Sequence, residues 1–133
     1  MKKRYFCIFI LCLCIVSLSN TVFATNWVRV GTDEYYIDSD TPIRKGKVLY
    51  YWEVYIDTAG HKRLGYYGID LRNPRGAHLM KGYYYNQDNL LMNEIVRPHG
   101  FSVWPGSDMD KAIDLALTYA KEGEPTDTIP TLP

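Results

Sequence analysis

Histidines, closely spaced aspartates, serines beside glycine or proline, and recurring tyrosine doublets are the residues of this chain that could do chemistry. His61, His78 and His99 could ligate a metal or act as general bases. His61 falls in a turn, His78 at the start of a strand and His99 beside a proline. No pair has a metal-site spacing such as i,i+4 on a helix, so they read as turn and surface histidines. Asp38 and Asp40 in "IDSDTP" have the opening of a calcium loop, but the glycine and glutamate of an EF-hand do not follow. Asp and Ser ahead of Pro make hydrogen-bonded turns instead. Ser102 and Ser107 lack the Gly-x-Ser-x-Gly elbow that exposes a nucleophile, and Ser39 lies in the aspartate turn. No carboxylate pair is singled out for glycoside chemistry. These residues point to no catalytic group, no cofactor and no metal.

"VWPGSDMDKAIDLAL", residues 103–117, sets a proline, a glycine and a serine before two acids and an apolar run. A helix N-terminus there could hold an anion. Ser107 is a good N-cap, and Asp110 three residues on gives a carboxylate variant of the capping box. Asp108 and Asp110 complement the positive end of the helix dipole and would repel an anionic ligand. The junction therefore reads as a structural cap.

Tyrosine is the one unusual feature, with doublets at 35–36, 50–51 and 66–67 and a triplet at 83–85. Neighbours in a strand face opposite ways, so each doublet sends one ring to each face of a sheet. Tyr51, Tyr55, Tyr67 and Tyr84 are then candidates for a binding surface, since tyrosine is an amphipathic, low-entropy contact residue. Packing of both faces for sheet stability is the alternative. Arg72 and Arg75, with Lys62 and Arg63, crowd two turns. They would form a positive rim to that surface or stand as solvated turn charges.

The elements that must position these residues are mostly strands. "NWVRV" and "EYYID" are short runs separated by a turn, and "SDTPIRKGK" reads as a loop. In "VLYYWEVYID", Val48, Tyr50, Trp52, Val54 and Ile56 form one face, expected to be the core. Leu49, Tyr51, Glu53, Tyr55 and Asp57 form an amphipathic second face. "RLGYYGIDL", "AHLMKGYYYNQ", "LMNEIV" and "FSVW" continue the series with hairpin-length turns, which implies an antiparallel sheet. Met109, Ala112, Ile113, Ala116, Leu117 and Ala120 then repeat at helical spacing. The expected class is α+β: an antiparallel sheet of about five to six strands with one C-terminal helix on its apolar face.

The two ends bound the compartment. "MKKRYFCIFILCLCIVSLSNTVFA" has the basic start, apolar middle and small-residue close of a secretory signal peptide, with cleavage expected between Ala24 and Thr25. Its apolar run is shorter than the roughly 20 residues of a spanning helix, so no membrane segment is expected in the mature chain. All three cysteines lie in this leader, so the mature domain folds without disulfides or thiolate chemistry. Loss of Lys2, Lys3 and Arg4 takes the formal charge from zero to about minus three, which speaks against a nucleic-acid partner. Residues 25–121 are the length of one domain. Residues 122–133, "EGEPTDTIPTLP" after Lys121, carry prolines without apolar periodicity and read as a disordered tail.

The order of motifs resembles the bacterial surface-adhesin protein E family. The matching positions are Trp27, Tyr36, Ile37, Asp38, Ile43, Arg44, Trp52, Trp104, Pro105, Gly106 and Ser107. The resemblance spans nearly all of residues 25–121. It implies an antiparallel sheet with a C-terminal helix packed on it and an adhesin-like role at the periplasm or cell surface. Members of that family carry a disulfide between the fourth-strand region and the helix end. Here "GIDLR" and "LALTYAKE" have no cysteine, so the resemblance is to a divergent, disulfide-free member. The expectation for function is a non-catalytic exported module that binds a protein or glycan, or a small ligand held by exposed tyrosines. A sheet edge or tyrosine face would permit a homodimer.

Overall fold

The computed structural model describes residues 25–133 with the exception of Val96; the expected leader, including Ala24, lies outside the described residues. Among the described residues, nine strands and one helix follow in chain order. They are β1 (Trp27–Arg29), β2 (Tyr35–Asp38), β3 (Ile43–Lys45), β4 (Val48–Ile56), β5 (Lys62–Asp70), β6 (Gly76–Tyr85), β7 (Leu91–Ile95), β8 (His99–Ser102), α1 (Asp108–Tyr119) and β9 (Lys121–Glu122). The class is α+β, as the strand series and the one periodic stretch imply.

The sheet runs β1-β2-β4-β5-β6-β7 and is antiparallel along that path. The long hairpins β4–β5 and β5–β6 form its spine, and the outer edges of that spine are shared. The start of β4 pairs with β3 and its end with β2. The start of β6 pairs with β8 and its end with β7. β9 adds in parallel beside β3. β3 falls in the stretch that reads as a loop, and β9 joins Lys121, which reads as the end of the helix, to Glu122, the first residue of the expected tail. Strands of three and two residues carry no readable alternation, and a neighbour's edge makes them.

Both faces of the spine are buried, and α1 lies on the face opposite to the expected one. Leu49 and Tyr51 of the supposedly amphipathic set are fully buried with Ile37, Ile69, Ala112, Ile113 and Ala116 in one core. Trp52, Val54, Leu64 and Tyr66 form a second core on the other face. Two-sided burial of an antiparallel sheet needs a cover on each side. The helix supplies one cover. The second comes from Trp27 of β1 and from Leu132, both packed against the Trp52 cluster. The 122–133 segment is therefore not a free tail. The Trp27 indole Nε1 donates to the Thr131 carbonyl at 2.8 Å, and the Thr131 amide donates to Thr25 Oγ1 at 2.9 Å. Lys45 pairs with Glu124 and Lys81 with Asp127.

α1 begins as its sequence dictates. Ser107 is extended (φ −66°, ψ 164°), and its Oγ accepts the Asp110 amide at 3.2 Å. Asp110 reaches back to accept the Gly106 amide at 2.8 Å. Arg75 then clamps the first turns from β6's approach, donating from Nη1 to Asp110 at 2.9 Å and to Asp114 at 2.7 Å.

Candidate functional site

One cross-strand row shapes the helix-side face. Ile37, Glu53, Gly65, Gly82 and Ile95 stand opposite one another across β2, β4, β5, β6 and β7. Two adjacent glycines in such a row leave a trough, and flanking side chains fold into it. A Cβ on Gly65 would lie 2.6 Å from Tyr67 Cε2, and one on Gly82 would lie 2.5 Å from Ile95 Cδ1. The strand pairing also slips there: Tyr66 pairs with Lys81 and Tyr67 with Leu79, so Met80 is an extra residue bulged out of β6.

Helix α1 covers only part of this face. Beyond its first turn the trough opens as two cavities that share Arg63, Tyr67 and Phe101 as a common wall. The first, about 320 Å³, is lined by Asp33, Tyr35, Glu53, Tyr55, Arg63, Tyr67, Phe101, Asp108 and Met109. The second, about 250 Å³, adds Tyr84, Ile95 and His99. Together they reach the lower end of the size range of small-ligand clefts, about 300–1,000 Å³. Tyr55, Tyr84 and Phe101 present exposed ring surface at the opening. The Arg63 guanidinium lies 5.7 Å from the Tyr55 ring centre, a cation–π contact. Phe101 meets Tyr67 edge-on at 6.2 Å.

Glu53 is the floor. Its Oε2 accepts hydrogen bonds from the Tyr35 hydroxyl and, at 3.0 Å, from the Tyr51 hydroxyl. Burial pushes the Glu53 carboxyl up to about 7, and the hydroxyls of Tyr35, Tyr51 and Tyr67 pull it back less strongly, with Arg63 adding to the pull. Burial and the facing carboxylate hold Tyr35, Tyr51 and Tyr67 well above the ordinary phenol value. Glu53 is thus a carboxyl that changes charge near neutrality while clasped by phenols that do not. Asp33 and Asp108 line the same cavity, but neither makes a hydrogen bond to Glu53 among the described residues.

The expected binding residues separate in the structure. Tyr55, Tyr67 and Tyr84 line the cleft. Tyr51 does not reach solvent; it is fully buried beneath α1 and acts through Glu53. Arg72 is exposed and forked onto Asp70, whose carboxyl it holds down at about 2. Arg75 is engaged by the helix acids. Lys62 is buried and donates to Asn89. Of the four cations only Arg63 lines these two cavities; Lys62 joins it in lining a smaller neighbouring cavity with Tyr55 and Tyr84. Sequence reasoning missed Glu53, Tyr35, Asp33 and Phe101. The one local signal was a lone glutamate in the middle of an otherwise apolar and aromatic strand.

Of the remaining candidates, His99 and Asp108 line the two cleft cavities, and Asp38 and His61 lie away from them. Asp38 is buried, with its carboxylate accepting the Asp40 amide at 3.0 Å and the Thr41 hydroxyl at 2.6 Å, a turn rather than an ion loop. His61 sits 3.3 Å from Asp57 in the β4–β5 turn. No group of three metal-ligating side chains converges among the described residues, and no described helix is long and apolar enough to cross a membrane. Comparison with known proteins finds no matching family model, no matching curated protein and no matching solved structure.

Proposed function

We propose that this chain is an exported, non-catalytic binding module that holds a polyhydroxylated ligand, a glycan segment, in the cleft beside the start of α1. The observation that carries the reading is the pair of contiguous cavities walled by Tyr55, Tyr67, Tyr84 and Phe101. Aromatic rings offer flat apolar faces to the C–H face of a sugar. Glu53, Asp33 and Asp108 offer acceptors to its hydroxyls, and Arg63 offers donors. The secretory leader read in residues 1–24 and the motif order shared with the surface-adhesin protein E family support the exported setting. The test is a glycan array followed by calorimetry with the chain starting at Thr25. Saturable binding that weakens about tenfold in Tyr55→Ala and in Arg63→Ala, with folding intact, supports the reading. Absence of any saturable glycan, or binding that both variants leave unchanged, overturns it.

A second reading, adhesion to a protein partner or to another copy, has its own support. β7 pairs on one side only among the described residues. Leu91 and Met92 within it, and Leu90 just before it, stand 51%, 67% and 61% exposed. An apolar, open strand edge is the usual place for edge-to-edge pairing. Concentration-dependent sedimentation of the same chain distinguishes it from glycan binding.

A further inference from the structure

The face opposite the helix carries a different kind of site. Its surface is aromatic. Trp52 lies 4.8 Å from Tyr66 and 6.4 Å from Tyr83, and Tyr50 lies 6.3 Å from Tyr66, centre to centre. Trp27 packs at the rim. What covers this face is a segment without helix or strand after Glu122, bearing Pro125, Pro130 and Pro133. Pro130 and Leu132 are partly buried, while Thr126, Asp127, Thr128 and Ile129 face solvent. A proline-bearing segment laid on aromatic rings, with an indole N–H donating to one of its carbonyls, is a peptide-recognition geometry. Here the Trp27 Nε1 bond to the Thr131 carbonyl supplies that donor.

We infer that the Trp52 face is a peptide-binding groove for extended, proline-bearing segments, and that the chain's own residues 124–133 are its resident occupant. Two observations mark the occupant as exchangeable. Its ion pairs, Lys45–Glu124 and Lys81–Asp127, have both partners at least 40% exposed, the class of pair that contributes little. Leu132 anchors it in the cluster, and Pro130 and Leu132 themselves stay only partly buried. Tethering compensates for these weak contacts. Direct covalent linkage at Gly123 presents the segment at an effective concentration of about the millimolar range, so a weak intrinsic affinity suffices to keep it seated. A peptide of the same chemistry from a second polypeptide would occupy the groove once the tail is outcompeted or cut.

The experiment keeps the whole domain. A protease site is placed between Gly123 and Glu124, and the chain from Thr25 is folded and then nicked. A fluorescently labelled synthetic peptide of residues 124–133 is added, and exchange is followed by anisotropy and gel filtration. Saturable exchange with a Kd of about 10 μM to 1 mM is expected for the nicked protein, with about tenfold weaker apparent binding to the uncut chain. A peptide carrying Leu132→Ser and Pro130→Gly should compete about tenfold less well, and Trp27→Phe should weaken binding by about fivefold through the lost indole bond. Three results overturn the inference. The nicked protein takes up no peptide at about 1 mM, or the altered peptide competes equally. Alternatively, nicking itself unfolds the domain, which would make the segment a strut of the core and not a ligand.

Discussion

Replacing Glu53 by Gln tests the most consequential feature of the cleft. Burial raises the Glu53 carboxyl from 4.5 to about 7. The native protein therefore binds a proton there that the unfolded chain has already released. Stability then falls as pH rises, because the slope follows the difference in protons bound by the unfolded and native states. The loss begins above pH 4.5, where the unfolded carboxyl ionises, and is complete above about 7, where the native one does. At ~1.4 kcal/mol per pH unit, that window corresponds to roughly 3 kcal/mol. Other shifted carboxyls act outside it or with known sign. Asp70, held down near 2 by Arg72, stabilises above its ordinary 3.8 and loses that as pH falls. Buried Asp38 is raised and shares the sign of Glu53. Gln keeps an acceptor for Tyr35 and Tyr51 and removes the titration. The two proteins should therefore match near pH 4.5, and Glu53→Gln should be more stable by roughly 3 kcal/mol at pH 8. Urea unfolding followed by far-ultraviolet circular dichroism, at half-unit steps across that window, measures both curves. A wild-type curve that is flat or rising through the window, or a variant with the wild-type slope, would refute the reasoning.

Two further perturbations separate scaffold from site. Ser107→Ala should cost about 1 kcal/mol through the lost cap on Asp110 N and leave glycan binding unchanged, read by thermal melts beside calorimetry. Gly65→Ala should cost about 1–3 kcal/mol, because its methyl must displace the Tyr67 ring, and should change the near-ultraviolet dichroism of the tyrosines; a melt within error of wild type would show that the trough tolerates filling.

The long strands were legible because they alternate. β4, β5 and β6 each run nine or ten residues, enough for period two to separate two faces. The same alternation could not say which face the helix would take. The Val48–Ile56 even set is the more apolar, so it was expected to be the core under the helix. Yet Leu49 and Tyr51 complete a layer with Ile37 and Ile69 that fits Ala112, Ile113 and Ala116. The choice rests on what else could cover Trp52. That cover comes from Trp27 and Leu132, which are separated by almost the whole domain in sequence and meet only in the fold. Proline content without periodicity measures the inability to form a helix or strand, not the inability to dock.

The cleft was unreadable for a related reason. Gly65 and Gly82 are ordinary glycines until the register places them side by side, with Glu53 at one end of the pair and Ile95 at the other. Concavity here is a property of four strands in register, and no local window contains it. The lone Glu53 was visible as a charge inside an apolar strand, and that is a transferable signal. A glutamate held between tyrosines in a central strand costs desolvation at neutral pH. Tyr35, Tyr51 and Tyr67 come from three different strands to offset that cost. A sheet assembled only for stability would do as well with an apolar residue at that position, so the carboxyl and the trough that exposes it are the part of this fold that stability alone does not explain.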